Sequence, residues 1–384
     1  MNEIYLDNSA TTRSYQAVID LTGRIQAESF GNPSSMHGRG LEAEKLIATA
    51  RRQVAAAFEC HEKEIYFTSG GTEANNLAIK GAAYRNRRRG THLVTSTIEH
   101  PSVLNCFQFL EQEGFTVSYL EVDRQGLVDK EQLEYVVGSE TVLVSIMHVN
   151  NEIGSVQPLE ELARIIKYSS PEALFHVDAV QSFGRLPLKP DHWQADMVTA
   201  SAHKIHGPRG AGCLWVKKGT LLQPLLHGGG QEYGLRSGTE NTAAIAGFGL
   251  ASEICSTGLK EKAAELYGLK LAFYRKLLEE GASFAVNGPE PEESAPHIIN
   301  LSFPGLKAEL LLHTLEEKGV YVSAGSACHS KHPDPSHVLD AIGAGRENLD
   351  SALRFSFSGF NTEEELEAAA KIVADVTTEL KIMF

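Results

Sequence analysis

The sequence is poor in cysteine, in long apolar runs and in positive charge. Among its 384 residues only five are cysteines, namely Cys60, Cys106, Cys213, Cys255 and Cys328. They are odd in number, widely spaced and without a CxxC pair, which argues against a zinc knuckle or a disulfide framework and predicts a reducing, cytoplasmic environment. No apolar run approaches the roughly 18 residues of a membrane span. The N-terminus has no basic segment followed by an apolar core, so we expect no secretory signal.

Acidic residues outnumber basic ones, 49 against 35, which gives a formal net charge of −14. Because phosphate binding needs a basic face, this balance weighs against a direct nucleic-acid partner. The composition, 42% hydrophobic and 22% charged, is typical of a globular protein. The chain is too long for one small core, so we expect one large and one smaller domain.

Short β-rich runs alternate with helical patterns through most of the chain, which predicts an α/β fold with a mainly parallel central sheet covered on both faces. The candidate strands are residues 65–67, 92–95, 117–122, 142–147, 174–178, 197–199 and 213–216. A helix with a single apolar stripe is indicated by the spacing of Ala43, Ile47, Ala50, Val54 and Phe58. Active sites in such sheets gather at the carboxyl ends of the strands.

From about residue 252 to 281 the pattern becomes one long helical stretch, and separated strands and helices follow it. This change predicts a second, α+β domain. We therefore predict a large domain over residues 15–255, and a small domain formed by residues 1–14 together with 256–384.

Lys204 lies in the segment SAHKIHGP (201–208), directly after an apolar run. Hydroxyl, imidazole and glycine neighbours around one amine favour a site that holds a phosphate and forms a Schiff base. A lone lysine in a loop is far more often a solvated charge, so this alternative stays open on the segment alone.

Residues 65–76 are typical of a strand, a glycine turn and a helix start. Gly70 and Gly71 allow backbone amides to approach an anion, and Thr72 offers a hydroxyl at the positive helix N-terminus. Taken alone, the segment is better explained by Thr72 as a plain N-cap, with Glu73 complementing the helix dipole.

Asp178 ends an apolar strand, where a carboxylate is costly unless it pairs with a cation. A protonated pyridine nitrogen is such a cation, and Gln181 is spaced to reach the phenolic oxygen of the same ring. The alternatives are that Asp178 caps the next helix, or that it binds a metal with His176, although no third ligand is spaced nearby. His100, just before a probable helix, is placed to stack on a ring and to move protons.

Further stretches of this kind follow one another along the whole chain, and together they resemble the cysteine desulfurases, class V members of the pyridoxal-phosphate enzymes of fold type I. The matching segments are residues 5–12, 31–37, 68–73, 99–100, 150–154, 176–181, 201–204, 227–232, 236–239, 323–328 and 353–356. Each segment alone is weak, but the ordered set is specific. Gly71 stands where relatives often have alanine, which we expect to be a mild difference.

The resemblance implies that Lys204 holds pyridoxal 5′-phosphate covalently and that His100 covers its ring. It further implies phosphate contacts from Gly71, Thr72, Ser201 and His203, a ring-nitrogen contact from Asp178, and phenolate-side contacts from Gln181 and Asn151, the last preferred to Asn150. Thr239, with Arg236, is implied to reach the phosphate of a neighbouring subunit, which predicts a homodimer.

For the substrate, the resemblance implies that Arg354 clamps the carboxylate with Asn32 close by, since a guanidinium forms a planar fork. A structural ion pair is the alternative for an arginine on an apolar strand. Cys328 lies in a polar, proline-bearing segment whose histidines and lysine favour the nucleophilic thiolate. The other four cysteines have apolar or helical surroundings and are expected to be buried.

The implied reaction removes sulfur from L-cysteine and gives L-alanine and a persulfide on Cys328, with Lys204 and His100 moving protons. The sulfur then passes to an acceptor protein, either an iron–sulfur scaffold or a tRNA-thiolation enzyme. Two alternatives stay open: a selenocysteine lyase, and a sulfur-relay or scaffold protein without catalysis.

Overall fold

The computed structural model describes residues 3–324 and 336–383. The strands are β1 (Ile4–Tyr5), β2 (Ile65–Thr68), β3 (His92–Ser96), β4 (Thr116–Leu120), β5 (Thr141–Met147), β6 (Leu174–Asp178), β7 (Met197–Ser201), β8 (Gly212–Val216), β9 (Ala285–Val286), β10 (Ile298–Ser302), β11 (Val320–Tyr321), β12 (Ser323–Ala324) and β13 (Ala352–Ser356). The helices are α1 (Gln16–Glu28), α2 (Gly38–Ala57), α3 (Gly71–Asn86), α4 (Pro101–Gln112), α5 (Lys130–Val136), α6 (Leu159–Ser169), α7 (Thr242–Ser256), α8 (Leu259–Glu279), α9 (Ala308–Glu317), α10 (His337–Ala341), α11 (Arg346–Ser351) and α12 (Glu363–Met383).

The central sheet has seven strands in the order β2-β8-β7-β6-β5-β3-β4. Only the two pairings made by β8 are antiparallel, and the other four are parallel. Successive side chains of β8 enter two different apolar clusters, as expected for a sheet that is covered on both faces. The predicted mainly parallel α/β sheet is confirmed, and each of its seven strands lies where the sequence places it.

The apolar stripe of α2 faces the larger cluster, with Ala43, Ile47, Ala50 and Val54 all buried. In contrast, the single helical stretch predicted from residue 252 to 281 is wrong. α7 ends at Ser256 and α8 begins at Leu259, because Gly258 between them takes a φ of +65°, a left-handed conformation that glycine adopts readily.

A second apolar core combines Ile4 and Leu6 with residues from 266 to 380. It packs around an antiparallel sheet in the order β12-β13-β10-β9, while β1 pairs in parallel with β11. The larger core draws its residues from 18 to 255. The exact boundaries of the two domains stay a prediction.

Three strands of the central sheet end at the same edge, and the predicted site residues follow these ends. β2, β6 and β7 run in the same direction, and their carboxyl ends lead respectively into α3, into the turn after Asp178 and into the 3₁₀ turn Ala202–Lys204. This is the edge at which open α/β sheets bind ligands. Within residues 3–324 and 336–383, every helix falls short of the length and apolar character needed to cross a membrane.

Candidate active site

Lys204 ends the 3₁₀ turn after β7, and its half-buried side chain reaches back to the N-terminal segment. Its Nζ donates hydrogen bonds to the carbonyl oxygens of Ser9 and, at 2.9 Å, of Ala10. Desolvation in the cleft, followed by the positive charge of Arg354, lowers the pKa of the Lys204 amine to about 7. An amine that is partly neutral at pH 7 is a nucleophile and a proton acceptor. Lys204 is therefore not a solvated surface charge.

A cavity of about 380 Å³ opens between the start of α3 and the end of β7. Its wall includes all four residues predicted to bind a phosphate, which are Gly71, Thr72, Ser201 and His203. The N-cap of α3 is Gly70, so the alternative in which Thr72 caps the helix is wrong. The hydroxyl of Thr72 and the N–H groups of the first helical turn, which have no partner within the helix, are suited to bind an anion.

Two details of this cavity fit a phosphate group. The Oγ atom of Ser201 is buried and has no hydrogen-bond partner in the part of the chain that the structure describes. Gly71 lets the wall close in, since a Cβ at this position would lie 2.9 Å from Cγ2 of Val180. Alanine there requires Val180 to move, so the difference from relatives is less mild than the sequence predicts. Arg209, which the sequence did not single out, adds a positive charge to the lining.

Asp178 closes β6 with a side chain that is only 5% exposed. Its Oδ2 accepts from Nδ2 of Asn75 at 2.8 Å and its Oδ1 from the backbone N–H of Val180 at 2.9 Å. The next residues form a turn rather than a helix, so the helix-cap alternative is wrong. A buried carboxylate held by two neutral donors suits a cationic partner such as a ring N–H⁺.

A chain of hydrogen bonds joins Asp178 to His100. Nδ2 of Asn75 also donates to Oγ of Ser102 at 2.9 Å, and this hydroxyl lies 2.8 Å from Nδ1 of His100. The backbone N–H of Ser102 donates to the same Nδ1 at 3.1 Å, so the neutral ring carries its proton on Nε2. Although His100 is solvent-accessible at the start of α4, desolvation by the cleft lowers its pKa and keeps it neutral.

Gln181 is buried in the turn after β6. Its Nε2 donates to the carbonyl oxygen of Ser9 at 2.9 Å, and its Oε1 lies 3.3 Å from Nε2 of His297. Because Lys204 donates to the same Ser9 oxygen, the structure brings Gln181 and Lys204 to one point.

Asn151 and Arg354 lie together next to this group. The amide of Asn150 is consumed by backbone contacts to Ile98, Glu152 and Ile153, whereas Asn151 is half-buried with its backbone oxygen bonded to Arg354. The role of Asn151 in ligand binding stays a prediction.

Arg354 forms the ion pair that the sequence left as its alternative role. Its Nη2 donates to Oδ1 of Asp7 at 2.7 Å and its Nη1 to the carbonyl oxygen of Asn151 at 3.0 Å. Its Nε is buried and has no partner within residues 3–324 and 336–383. A substrate carboxylate would therefore meet an arginine that Asp7 already holds in place.

Asn32 and Thr239 are not part of the cavity wall. Asn32 is exposed, and its side chain accepts from the N–H of Ser34 at 2.9 Å. Thr239 is exposed and does not line the cavity, while Arg236 pairs with Glu73 at 2.7 Å.

Cys328 lies outside the described residues. Of the other cysteines, Cys106, Cys213 and Cys255 are buried as predicted, whereas Cys60 is only half-buried. Desolvation raises the pKa of Cys60 and Cys255 to about 12, that of Cys106 to about 11, and that of Cys213 well above its ordinary value. These four thiols are protonated, and hence weak nucleophiles, at neutral pH.

Both ring nitrogens of His176 are within hydrogen-bond distance of hydroxyl groups. Its ring is fully buried, with Nδ1 at 2.8 Å from Oγ of Ser145 and Nε2 at 3.0 Å from Oγ1 of Thr199. Among the residues that the structure describes, no three histidine, cysteine or acidic side chains are grouped to hold a metal ion. The described residues therefore give no support to the metal alternative for His176 and Asp178.

Sequence reasoning missed the residues that support the site from a distance. They are Asp7, which holds Arg354, Asn75, which holds Asp178, Ser102, which orients His100, and His297, which contacts Gln181. Of these four, only Asp7 falls within a segment that matched the family, residues 5–12.

Three comparisons place these features among known proteins. Residues 4–369 match the family model Aminotransferase class-V. A "Putative cysteine desulfurase IscS 1" of Bacillus subtilis (strain 168) is 44% identical over 381 residues, which cover 99% of this chain and 100% of that protein. The solved structure of a "NIFS-LIKE PROTEIN" is similar with a TM-score of 0.92 at 38% identity, covering 98% of this chain and 100% of that one. A structure of "SspA in complex with cysteine" has a TM-score of 0.81 at 36% identity, over 94% of this chain and 100% of that one.

Proposed function

The chain belongs to the class V aminotransferase family and, within it, to the pyridoxal-phosphate-dependent cysteine desulfurases, and on this premise we propose that it takes sulfur from L-cysteine at the cleft around Lys204. The observation that carries the proposal is the Lys204 amine. Its pKa is lowered to about 7 by desolvation, its neighbour His203 lines the cavity, and the buried carboxylate of Asp178 is near enough to act on its charge.

The residues fit pyridoxal phosphate at three points. The hydroxyl of Ser201, which has no hydrogen-bond partner among the described residues, and the start of α3 suit its phosphate, with Thr72 and His203 beside them. The carboxylate of Asp178 suits a protonated ring nitrogen. The amine of Lys204 suits its aldehyde. When bound, the cofactor supplies an electron sink for the carbon atom next to the substrate amine.

The side chains of the cleft then move protons and hold the substrate. Lys204, partly neutral at pH 7, accepts the proton from the substrate Cα. His100 is fixed with its proton on Nε2 by Ser102, so it is set to act as a donor near the substrate sulfur. Arg354, held in place by Asp7, offers to the substrate carboxylate its Nε–H, which has no partner in the described part of the chain.

We place the sulfur acceptor at Cys328 on the strength of its sequence context. The thiolate of Cys328 attacks the substrate sulfur and forms an S–S bond. The C–S bond breaks, its electron pair stays with the carbon fragment, and this fragment takes up protons and leaves as L-alanine. The high pKa values of Cys60, Cys106 and Cys255 support this choice, because those thiols stay protonated.

The finer assignments are part of the same proposal. We propose a homodimer in which Thr239, exposed and away from its own cavity, reaches the phosphate site of the neighbouring chain with Arg236. Asn32 would serve the substrate end. The persulfide would pass to a protein of iron–sulfur assembly or tRNA thiolation, in the cytoplasm, with neither a membrane nor a nucleic acid bound directly.

The test is the production of L-alanine and sulfide from L-cysteine by the purified protein supplied with pyridoxal phosphate and with a thiol reductant, which releases the persulfide sulfur as sulfide. We expect the wild type to show a visible cofactor band and turnover. The Cys328→Ser variant should keep the band and lose turnover of cysteine. Normal desulfuration by this variant would refute the nucleophile, turnover of selenocysteine alone by the wild type would identify a selenocysteine lyase, and a colourless protein would indicate a non-catalytic relay.

A further inference from the structure

His297 reaches the site from the second core. It lies directly before β10, is fully buried, and its carbonyl oxygen accepts from the backbone N–H of Phe357 at 2.9 Å. Its ring lies against Gln181 of the turn after β6, with 3.3 Å between Nε2 and Oε1. Nothing in the reaction outlined above requires a histidine here.

The His297 ring is neutral. Desolvation lowers its pKa well below the ordinary value, and positive charges act in the same direction. Those charges belong to Arg185, Lys270, Arg354 and Lys204. A neutral imidazole has one N–H donor and one acceptor nitrogen.

Only one of the two tautomers suits this position. Nδ1 is buried and has no partner among the described residues, so a proton there would be an unsatisfied buried donor. In that tautomer Nε2 carries no proton, so Nε2 of His297 and Oε1 of Gln181 would be two acceptors facing each other without a hydrogen between them. With the proton on Nε2, the ring donates to Oε1, and the unpaired atom is merely an acceptor.

This tautomer decides which way the amide of Gln181 points. A glutamine amide can be reversed without changing its shape, and its hydrogen bonds determine the orientation. Because Oε1 accepts from His297, Nε2 must turn to the other side, where it donates to the carbonyl oxygen of Ser9 at 2.9 Å. Lys204 donates to the same oxygen, so the N–H side of Gln181 is the side that faces the reacting amine.

We propose that His297 is a positioning residue, which holds the Gln181 amide with its N–H group directed at the phenolic oxygen of the cofactor ring. This rests on the proposed function, because it requires that ring next to Lys204. A donor to the ring oxygen neutralises part of its negative charge, so that this charge holds the proton of the adjacent Schiff-base nitrogen less tightly. Loss of the donor orientation therefore raises the pH midpoint of the visible band, by about one unit for a hydrogen bond to a charged group.

Two variants of His297 separate orientation from space filling. Glutamine places its amide N–H where Nε2 of histidine lies, whereas asparagine places it at the position of Nδ1, out of reach of Gln181. The visible absorbance of the cofactor-loaded protein is titrated with pH in the absence of substrate, and thermal unfolding shows that each variant is folded. We expect His297→Gln to keep the wild-type midpoint and His297→Asn to raise it by about one unit. If asparagine is not tolerated, His297→Phe fills the space without a donor and should give the same rise.

A second arm tests whether the effect passes through Gln181. In a Gln181→Ala background, the His297→Asn substitution should cause no further shift of the midpoint, because the group that it orients is gone. The proposal would be overturned if the wild type, His297→Gln and His297→Asn had equal midpoints. It would also be overturned if His297→Asn shifted the midpoint further in the Gln181→Ala background. A wild type without a visible band would instead refute the proposed function, so the two failures are distinct.

Discussion

In the protein without cofactor, we predict that the Lys204 amine loses its proton near pH 7. Desolvation in the cleft is the main cause of its low pKa, and the buried guanidinium groups of Arg354 and Arg185 act in the same direction. The carboxylates of Asp7 and Asp178 act in the opposite direction but do not cancel the effect. The amine should therefore be reactive at pH values at which other lysines are protected by their charge.

The size of the effect follows from the two pKa values. A lysine with the ordinary pKa of about 10.4 is only about 0.04% neutral at pH 7, whereas a group with a pKa of about 7 is about half neutral. The neutral fraction thus rises about a thousandfold.

The assay is brief modification of the cofactor-free protein with an amine-reactive reagent between pH 5.5 and 9, with the labelled peptides counted by mass spectrometry. The exposed Lys318 reports the reagent's own dependence on pH. Arg185, whose Nη2 donates to the carbonyl oxygen of Lys204 at 2.7 Å, provides matched variants. Arg185→Met should raise the midpoint for Lys204 because a positive charge is lost, and Arg185→Lys should keep it. A wild-type midpoint above about pH 9 would refute the reasoning.

Other predictions concern stability and cofactor binding. Glu232→Gln removes a buried ion pair with Arg51, whose two N···O distances are 2.7 and 2.8 Å, and should lower the free energy of unfolding in denaturant by about 3–5 kcal/mol. As a control, Glu161→Gln removes an exposed ion pair with Lys130 and should lower the same free energy by less than about 1 kcal/mol. Similar losses in the two variants would contradict this prediction. Ser201→Ala should weaken pyridoxal-phosphate binding about tenfold in equilibrium titrations with little change in unfolding, because its Oγ has no partner among the described residues. Burial lowers the pKa of His176 to about 3 in the folded chain. As the pH falls below about 6.5, the imidazole therefore takes up a proton in the unfolded chain but not in the folded one. His176 should thus lower the free energy of unfolding by about 1.4 kcal/mol for each pH unit below that value. Unfolding at pH 7.5 and 5.5 checks the last prediction, and an identical pH dependence in His176→Gln would count against it.

The sheet could be predicted from the sequence because each of its strands is a short apolar run between helical patterns. Parallel strands buried on both faces read as continuous apolar runs, as in β5, where all seven residues are buried. The break between α7 and α8 could not be predicted in this way. It depends on the left-handed conformation of Gly258, and an isolated glycine does not by itself indicate whether a helix ends or continues.

The sequence pointed to candidate site residues only where they lie at the end of a strand or at the start of a helix. Lys204, Asp178 and Gly71 are of this kind. Their supporting contacts join distant parts of the chain: Asn75 to Asp178 across 103 positions, His297 to Gln181 across 116, and Arg354 to Asp7 across 347. No local pattern encodes such pairs, since they arise only when the sheet and the second core pack together.

The unpartnered polar atoms support the same location by an independent argument. A buried polar atom without a hydrogen bond costs about 1–3 kcal/mol, so a fold retains few of them without a reason. Within the described residues, several belong to side chains that contact Lys204, Asp178, Gln181 or Asn151, or that line the cavity: Asn75 Oδ1, Arg185 Nη1, Ser201 Oγ, His297 Nδ1 and Arg354 Nε. Such a concentration is expected where the fold is completed by a polar ligand. A ligand that satisfies even part of this set binds to the folded chain alone, and it therefore stabilises the chain in proportion to the logarithm of its concentration over its dissociation constant.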